Sequence, residues 1–168
     1  DLGSSSARGL DGFDDIVATT EDTVYVFISD GNGGFASYYT FTDSGFVNLS
    51  AVDIGDIDGD GTTDIVVTCA SNNTVIPIFN VTGDHTTLSI GIAESTASNP
   101  SSVLLLDLDA TVGDEIAVAC AGESVTEGQI DFFAAAEPLR GGLTPLGSFI
   151  TPGNPDDMAG SLSPKGDE

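Results

Sequence analysis

Asp56, Asp58, Asp60 and Asp64 occupy positions 1, 3, 5 and 9 of one short stretch, with Gly59 and Gly61 between them. Carboxylates this dense repel one another unless a cation neutralises them. A hard cation such as calcium takes about six to eight oxygen ligands and suits the set. The glycines permit the tight turns that aim the carboxylates inward. Thr62, at position 7, would add its backbone carbonyl. The residues expected to hold calcium are therefore Asp56, Asp58, Asp60, Thr62 and Asp64; the plainer alternative is a solvated acidic turn. An EF-hand would place a bidentate Glu at position 12 and a helix after it. Val67 stands there instead, within the β-branched run Ile65-Val66-Val67-Thr68, which reads as a strand. The acidic loop thus joins two strands.

A second, weaker set follows at Asp107, Asp109, Thr111 and Glu115, where Thr111 takes the position of an acid. Fewer charges predict weaker calcium binding. Further upstream only Asp11 and Asp15 match, Gly9 stands at position 3, and Ser4-Ser5-Ser6-Ala7-Arg8 reads as an insertion, so no site is expected there. Three N-x-Ser/Thr sequons begin at Asn48, Asn72 and Asn80, all placed in turns or strand starts where a glycan is tolerated. The single histidine, His85, lies in a polar turn. There is no nucleophile elbow, thiol–histidine pairing or zinc pattern. Pairs such as Asp14-Asp15 and Asp156-Asp157 read as turn or metal residues, and no catalytic residue is expected.

The elements that position these loops are strands. The chain of 168 residues is rich in Gly, Ser, Thr and Asp and poor in helix formers, and it can bury one real core. Its formal net charge is -24, with Arg8, Arg140 and Lys165 the only strong bases. That disfavours nucleic acid, which is bound through Lys and Arg against phosphates, and disfavours anionic membranes. No apolar run is long enough for a membrane span. The chain opens Asp1-Leu2-Gly3-Ser4 without a signal peptide, as a mature product or a piece of something longer. Cys69 and Cys120 both follow strands, at matching places in neighbouring sheets about 10 Å apart, and are expected as buried free thiols.

The sequence repeats. The acid that precedes a strand recurs at Asp15, Asp64, Glu115 and Glu168, at intervals of 49, 51 and 53 residues. The second repeat divides into strands over 49–57, 64–69, 74–79 and 86–92. The third strand of a repeat is apolar on both faces, with Val24, Val26 and Ile28 alternating with Tyr25 and Phe27. Burial on both faces fits a sheet sandwiched between two others. The expectation is an all-β, β-propeller-like array of four-stranded antiparallel blades. Its divisions are repeat 1 over about 1–47, repeat 2 over about 48–99, repeat 3 over about 100–154 and the start of repeat 4 over about 155–168. Pro77, inside a strand, predicts a local bulge.

The stretch from Asp56 to Val67 resembles the calcium motif of FG-GAP and VCBS repeats, which include the blades of integrin α-subunit propellers. The strand Val75 to Phe79 and the turn Gly31-Asn32-Gly33-Gly34-Phe35 resemble that family too, over about three repeats. The resemblance implies a calcium-stabilised, extracellular or cell-surface propeller blade. The leading expectation is a non-catalytic module for adhesion, recognition or assembly, with a protein, a glycan or another copy as partner. Two alternatives are the propeller portion of a secreted hydrolase or lyase, and a subunit of an extracellular fibre. Three blades fall short of a closed propeller, so the chain is expected to be incomplete alone. It is either a segment of a longer propeller or a subunit whose strand near Met158 to Leu162 completes a neighbour.

Overall fold

The computed structural model describes residues 2, 12–83, 87–109, 111–124, 127–136, 141–155 and 158. Asp11, His85, the three strong bases and most of the fourth repeat lie outside them. Among the described residues every element is a strand, and no helix is long and apolar enough to cross a membrane.

The strands form three antiparallel sheets in chain order. The first contains β1 (Ile16–Thr19), β2 (Val24–Ser29) and β3 (Phe35–Phe41), ordered β1-β2-β3. The second runs β4 (Leu49–Gly55), β5 (Asp64–Cys69), β6 (Thr74–Asn80) and β7 (Leu88–Ile90), with the short β8 (Glu94–Ser95) also on β6. The third contains β9 (Pro100–Leu106), β10 (Glu115–Ser124), β11 (Glu127–Ala135) and β12 (Leu143–Pro152) in sequential order. The longer strands are rich in β-branched or aromatic residues, and Gly, Asn, Asp and Ser crowd the turns between them, as strand propensity and turn chemistry require. The all-β expectation holds. The sheets meet most closely where β4 lies against β1 on one side and β9 on the other.

Alternation along the central strands builds two cores. Ile65, Val67, Cys69, Ile76 and Ile78 face the first sheet, where they meet Val24, Val26 and Ile28. Val66, Val75 and Phe79 face the third sheet, where they meet Val103, Ile116, Val118 and Phe133. Every residue of β5 is buried, because this strand has a sheet on either side. Each fully buried side chain of this kind stabilises the fold by about 2 kcal/mol relative to exposure. The first sheet differs from the two-sided burial read from its sequence. Its Val24, Val26 and Ile28 are covered, but Tyr25 and Phe27 share the other face with the exposed Phe35 and Tyr38 in a chain of ring contacts 5.8 to 6.3 Å apart.

Pro77 produces no bulge. Val66 pairs with Pro77 in an unbroken β5–β6 register. The missing N–H is accommodated on the other side, where the outer strand is split into β7 and β8. In that gap the Pro77 carbonyl accepts the Gly91 N–H at 2.9 Å. Asn48 and Asn99 start the second and third sheets with φ of 55° and 57°. Their carbonyls accept the N–H groups of Ala70 and Ala121, each at 2.9 Å, so one turn is built twice. Cys69 and Cys120, the residues just before those donors, are buried free thiols in different cores.

Candidate metal centre

The acids at the entries to β1, β5 and β10 are Asp15, Asp64 and Glu115, and each ties back the chain that precedes it. Asp64 Oδ2 accepts the Ile57 N–H at 3.0 Å, and its Oδ1 accepts the Asn80 N–H at 2.7 Å. Asp15 repeats both contacts, with Leu2 at 2.8 Å and Ser29 at 2.9 Å. Glu115 accepts the Leu108 N–H at 2.7 Å. One carboxylate thus joins the head of the loop, the strand it opens and, in the first two sheets, the end of the next strand. Leu2 thus makes toward Asp15 the contact that Ile57 makes toward Asp64. Asp11 and Gly9 lie outside the described residues.

In the second loop Asp56, Asp58 and Asp64 converge, each offering an oxygen within 4.8 Å of the others. Gly59 and Gly61 adopt φ of 71° and 84°, which lets the loop curl around this point. Asp58 is 2 % exposed and its Oδ1 accepts the Asp60 N–H at 3.2 Å. Asp56 Oδ2 accepts the Gly61 N–H at 3.0 Å, while its Oδ1 is buried without a hydrogen-bond partner. Burial pushes the Asp64 carboxyl up to about 7, against the two N–H groups it accepts, and the Asp58 charge adds to the rise. Burial also raises Asp56, assisted by Asp60 and Asp58. Both shifts are led by burial, and the neighbouring carboxylates add to them.

Asp60 stays outside the converging triad. It is exposed, and its Oδ1 accepts the Thr62 N–H at 2.8 Å. The Thr62 hydroxyl lies between that carboxylate and the Asn80 carbonyl, 2.9 Å from the latter. The third-repeat residues are spread rather than gathered. Asp107, Asp109 and Thr111 are exposed, and Glu115 is turned to the Leu108 N–H. Asp109 is held below the usual carboxylate range by the Thr111 hydroxyl and N–H. Among the described residues the triad in the second loop is the one such acidic cluster.

Asn48 and Asn72 are exposed, as expected of sequon asparagines. Asn80 is not: it is 1 % exposed, and its Nδ2 donates to the carbonyls of Leu2 at 3.2 Å and Thr63 at 3.3 Å. It plugs the space between the first and second loops, which contradicts its reading as a glycan-bearing turn residue.

Two acids missed in the sequence also shape the centre. Asp114 Oδ2 accepts the Asp56 N–H at 2.9 Å, and the Asp114 N–H donates to the Asp56 carbonyl at 2.7 Å. Asp53, on β4, accepts the Leu105 N–H of β9 at 2.7 Å. For Asp114 the available signal was its place in the doubled acid Asp114-Glu115; nothing in the local sequence marks Asp53.

The sequence model of FG-GAP-like repeats matches residues 10–67, a stretch that holds the first sheet, the acidic loop and most of β5. No curated protein matches the chain at a significant level. Over residues 10–67 this chain is similar to FG-GAP-like repeats.

Proposed function

We propose that this chain is a non-catalytic, calcium-stabilised module of an extracellular or cell-surface protein, serving adhesion, recognition or structural assembly. The observation that carries the reading is Asp56 Oδ1, buried and unpartnered beside Asp58 and Asp64. A buried anionic oxygen with no donor is costly, and a divalent cation satisfies all three carboxylates at once. The ligands would be Asp56, Asp58 and Asp64, with Asp60 and the Thr62 carbonyl completing the oxygen set. The ion would supply rigidity rather than reactivity.

The propeller-like arrangement belongs to the same proposal. It is supported by the stacking of each sheet's front on the next sheet's back and by the approach of β1, β4 and β9. Such a scaffold fixes loops at its rim for binding a protein or glycan.

Calorimetric titration of calcium into the chelator-treated protein tests the reading. The wild type binds one ion in the second loop, and Asp58→Asn loses at least tenfold in affinity, as expected for removal of a charged ligand worth about 1.4 kcal/mol or more. Absence of binding at millimolar calcium, or an unaffected Asp58→Asn, overturns it.

A further inference from the structure

We infer that the cation site in the second loop is completed by the next repeat: Asp114 is a positioning residue that couples ion binding to the docking of the third sheet on the second. The inference rests on the calcium reading above. It adds a residue that the spacing of the acidic loop does not contain.

Asp56 is the first ligand of the loop and the place where the chain leaves β4. Both its peptide groups are engaged by one residue: Asp114 Oδ2 takes its N–H at 2.9 Å and the Asp114 N–H reaches its carbonyl at 2.7 Å. This reciprocal pair links residues 58 apart in sequence. It sits at the loop preceding β10, whereas its neighbour Glu115 is turned inward to its own loop. Asp114 does not join the carboxylate triad. It acts on the backbone that carries the Asp56 side chain.

The two loops are in contact closely enough to make this position specific. Gly113 has φ of 106°, and a Cβ there would lie 2.6 Å from the Ile57 carbonyl oxygen. A Cβ on Gly59 would lie 2.2 Å from Val112 Cγ1. Glycine on each side lets backbone meet backbone. Loop three therefore abuts the very residues that shape loop two. Asp53, accepting the Leu105 N–H at 2.7 Å, ties the adjoining strands β4 and β9 on the same seam. An ion that fixes Asp56 also fixes its peptide groups. Their partner Asp114 is then held, and with it the mouth of β10. By linkage, docking of the third sheet raises affinity for the ion and the ion strengthens the docking.

The test uses the complete 168-residue chain with Asp114→Asn and Asp114→Ala, read by calcium calorimetry and by hydrogen exchange with and without calcium. Asp114→Ala leaves the Asp56 N–H without its acceptor, and calcium affinity falls about tenfold. Asp114→Asn keeps an oxygen acceptor and recovers most of that loss. A residue acting through its charge would lose as much in Asn as in Ala. Calcium slows exchange at the amides of Asp114 and β10 in the wild type but not in Asp114→Ala. Should Asp114→Ala fail to fold, the wild-type exchange pattern and the Asn variant still decide. Wild-type affinity in Asp114→Ala, equal losses in both variants, or calcium protection confined to the second sheet each overturn the inference. If the wild type itself binds no calcium, the ion reading fails and the coupling fails with it.

Discussion

Asp64 Oδ1 accepts the backbone N–H of Asn80 at 2.7 Å, so the first residue of β5 is fastened to the last residue of β6. With its other oxygen on the Ile57 N–H, Asp64 is both a candidate ligand and a structural post. These roles separate on mutation. In chelator, Asp64→Ala leaves two N–H groups without acceptors and costs about 3 kcal/mol in urea unfolding. Asp64→Asn keeps one acceptor and relieves the buried charge, so it costs clearly less while still abolishing ion binding. Equal losses for the two variants would remove the structural half of the claim.

The raised Asp64 carboxyl gives the metal-free protein a pH dependence of definite sign. In the folded state this group binds its proton up to about 7; its ordinary value is 3.8. The folded state thus holds the proton more tightly, and this contribution to stability is fully present below the ordinary value. It is lost as pH rises from about 4 to about 7 and is flat above. Calcium reverses the trend, because the ion needs the ionised carboxylate, so affinity increases with pH up to neutrality. Melting curves at pH 5 and 7.5, with chelator and with calcium, check both halves. A chelated protein that is more stable at pH 7.5 contradicts the assignment to Asp64.

Cys120 is fully buried, and burial pushes its thiol up to about 12, with the Asp131 charge adding to the rise. At pH 8 only roughly one molecule in ten thousand carries the thiolate at that site. Cys69 is equally enclosed in the other core. Neither thiol is alkylated in the native protein at pH 8, and both react in denaturant. Rapid native labelling followed by peptide mass spectrometry would show that the core around the labelled residue opens.

The sequons divide by burial. If the native host glycosylates this chain, Asn48 and Asn72 carry the sugars, and Asn80 does not once folded. Its side-chain nitrogen is committed to Leu2 and Thr63. Peptide mass spectrometry before and after N-glycosidase treatment reads this directly. A glycan on Asn80 in folded material is incompatible with the position of Leu2.

The legible parts of this molecule were those set by local pattern. Strands, turns and the acidic loop announced themselves through β-branched runs, Asn and Gly, and carboxylate spacing. What stayed hidden depended on contacts across the fold. Asn80 reads as a turn residue because Val81-Thr82-Gly83 follows it, yet Leu2, 78 residues away in sequence, buries it. Asp114 looks like half of a doubled acid until the third loop docks on the second. Pro77 argues for a bulge only while the outer strand is assumed continuous. The insertion read over residues 4–8 hides the match between Leu2 and Ile57, which the Leu2–Asp15 hydrogen bond makes plain.

That pinned loop has a practical corollary. The ends tied by the strand-entry acid are 7 residues apart in the second and third loops and 13 apart in the first. By chain statistics the added length costs about 0.5 kcal/mol of closure entropy, a small charge against a clasp of two hydrogen bonds. The third loop, exposed from Asp107 to Asp109 and outside the carboxylate triad, is closed by the single Leu108–Glu115 hydrogen bond. It is therefore a natural port for grafted peptides: an epitope spliced in beside the exposed Asp109 would be displayed on the surface, inside the span that the Leu108–Glu115 hydrogen bond closes.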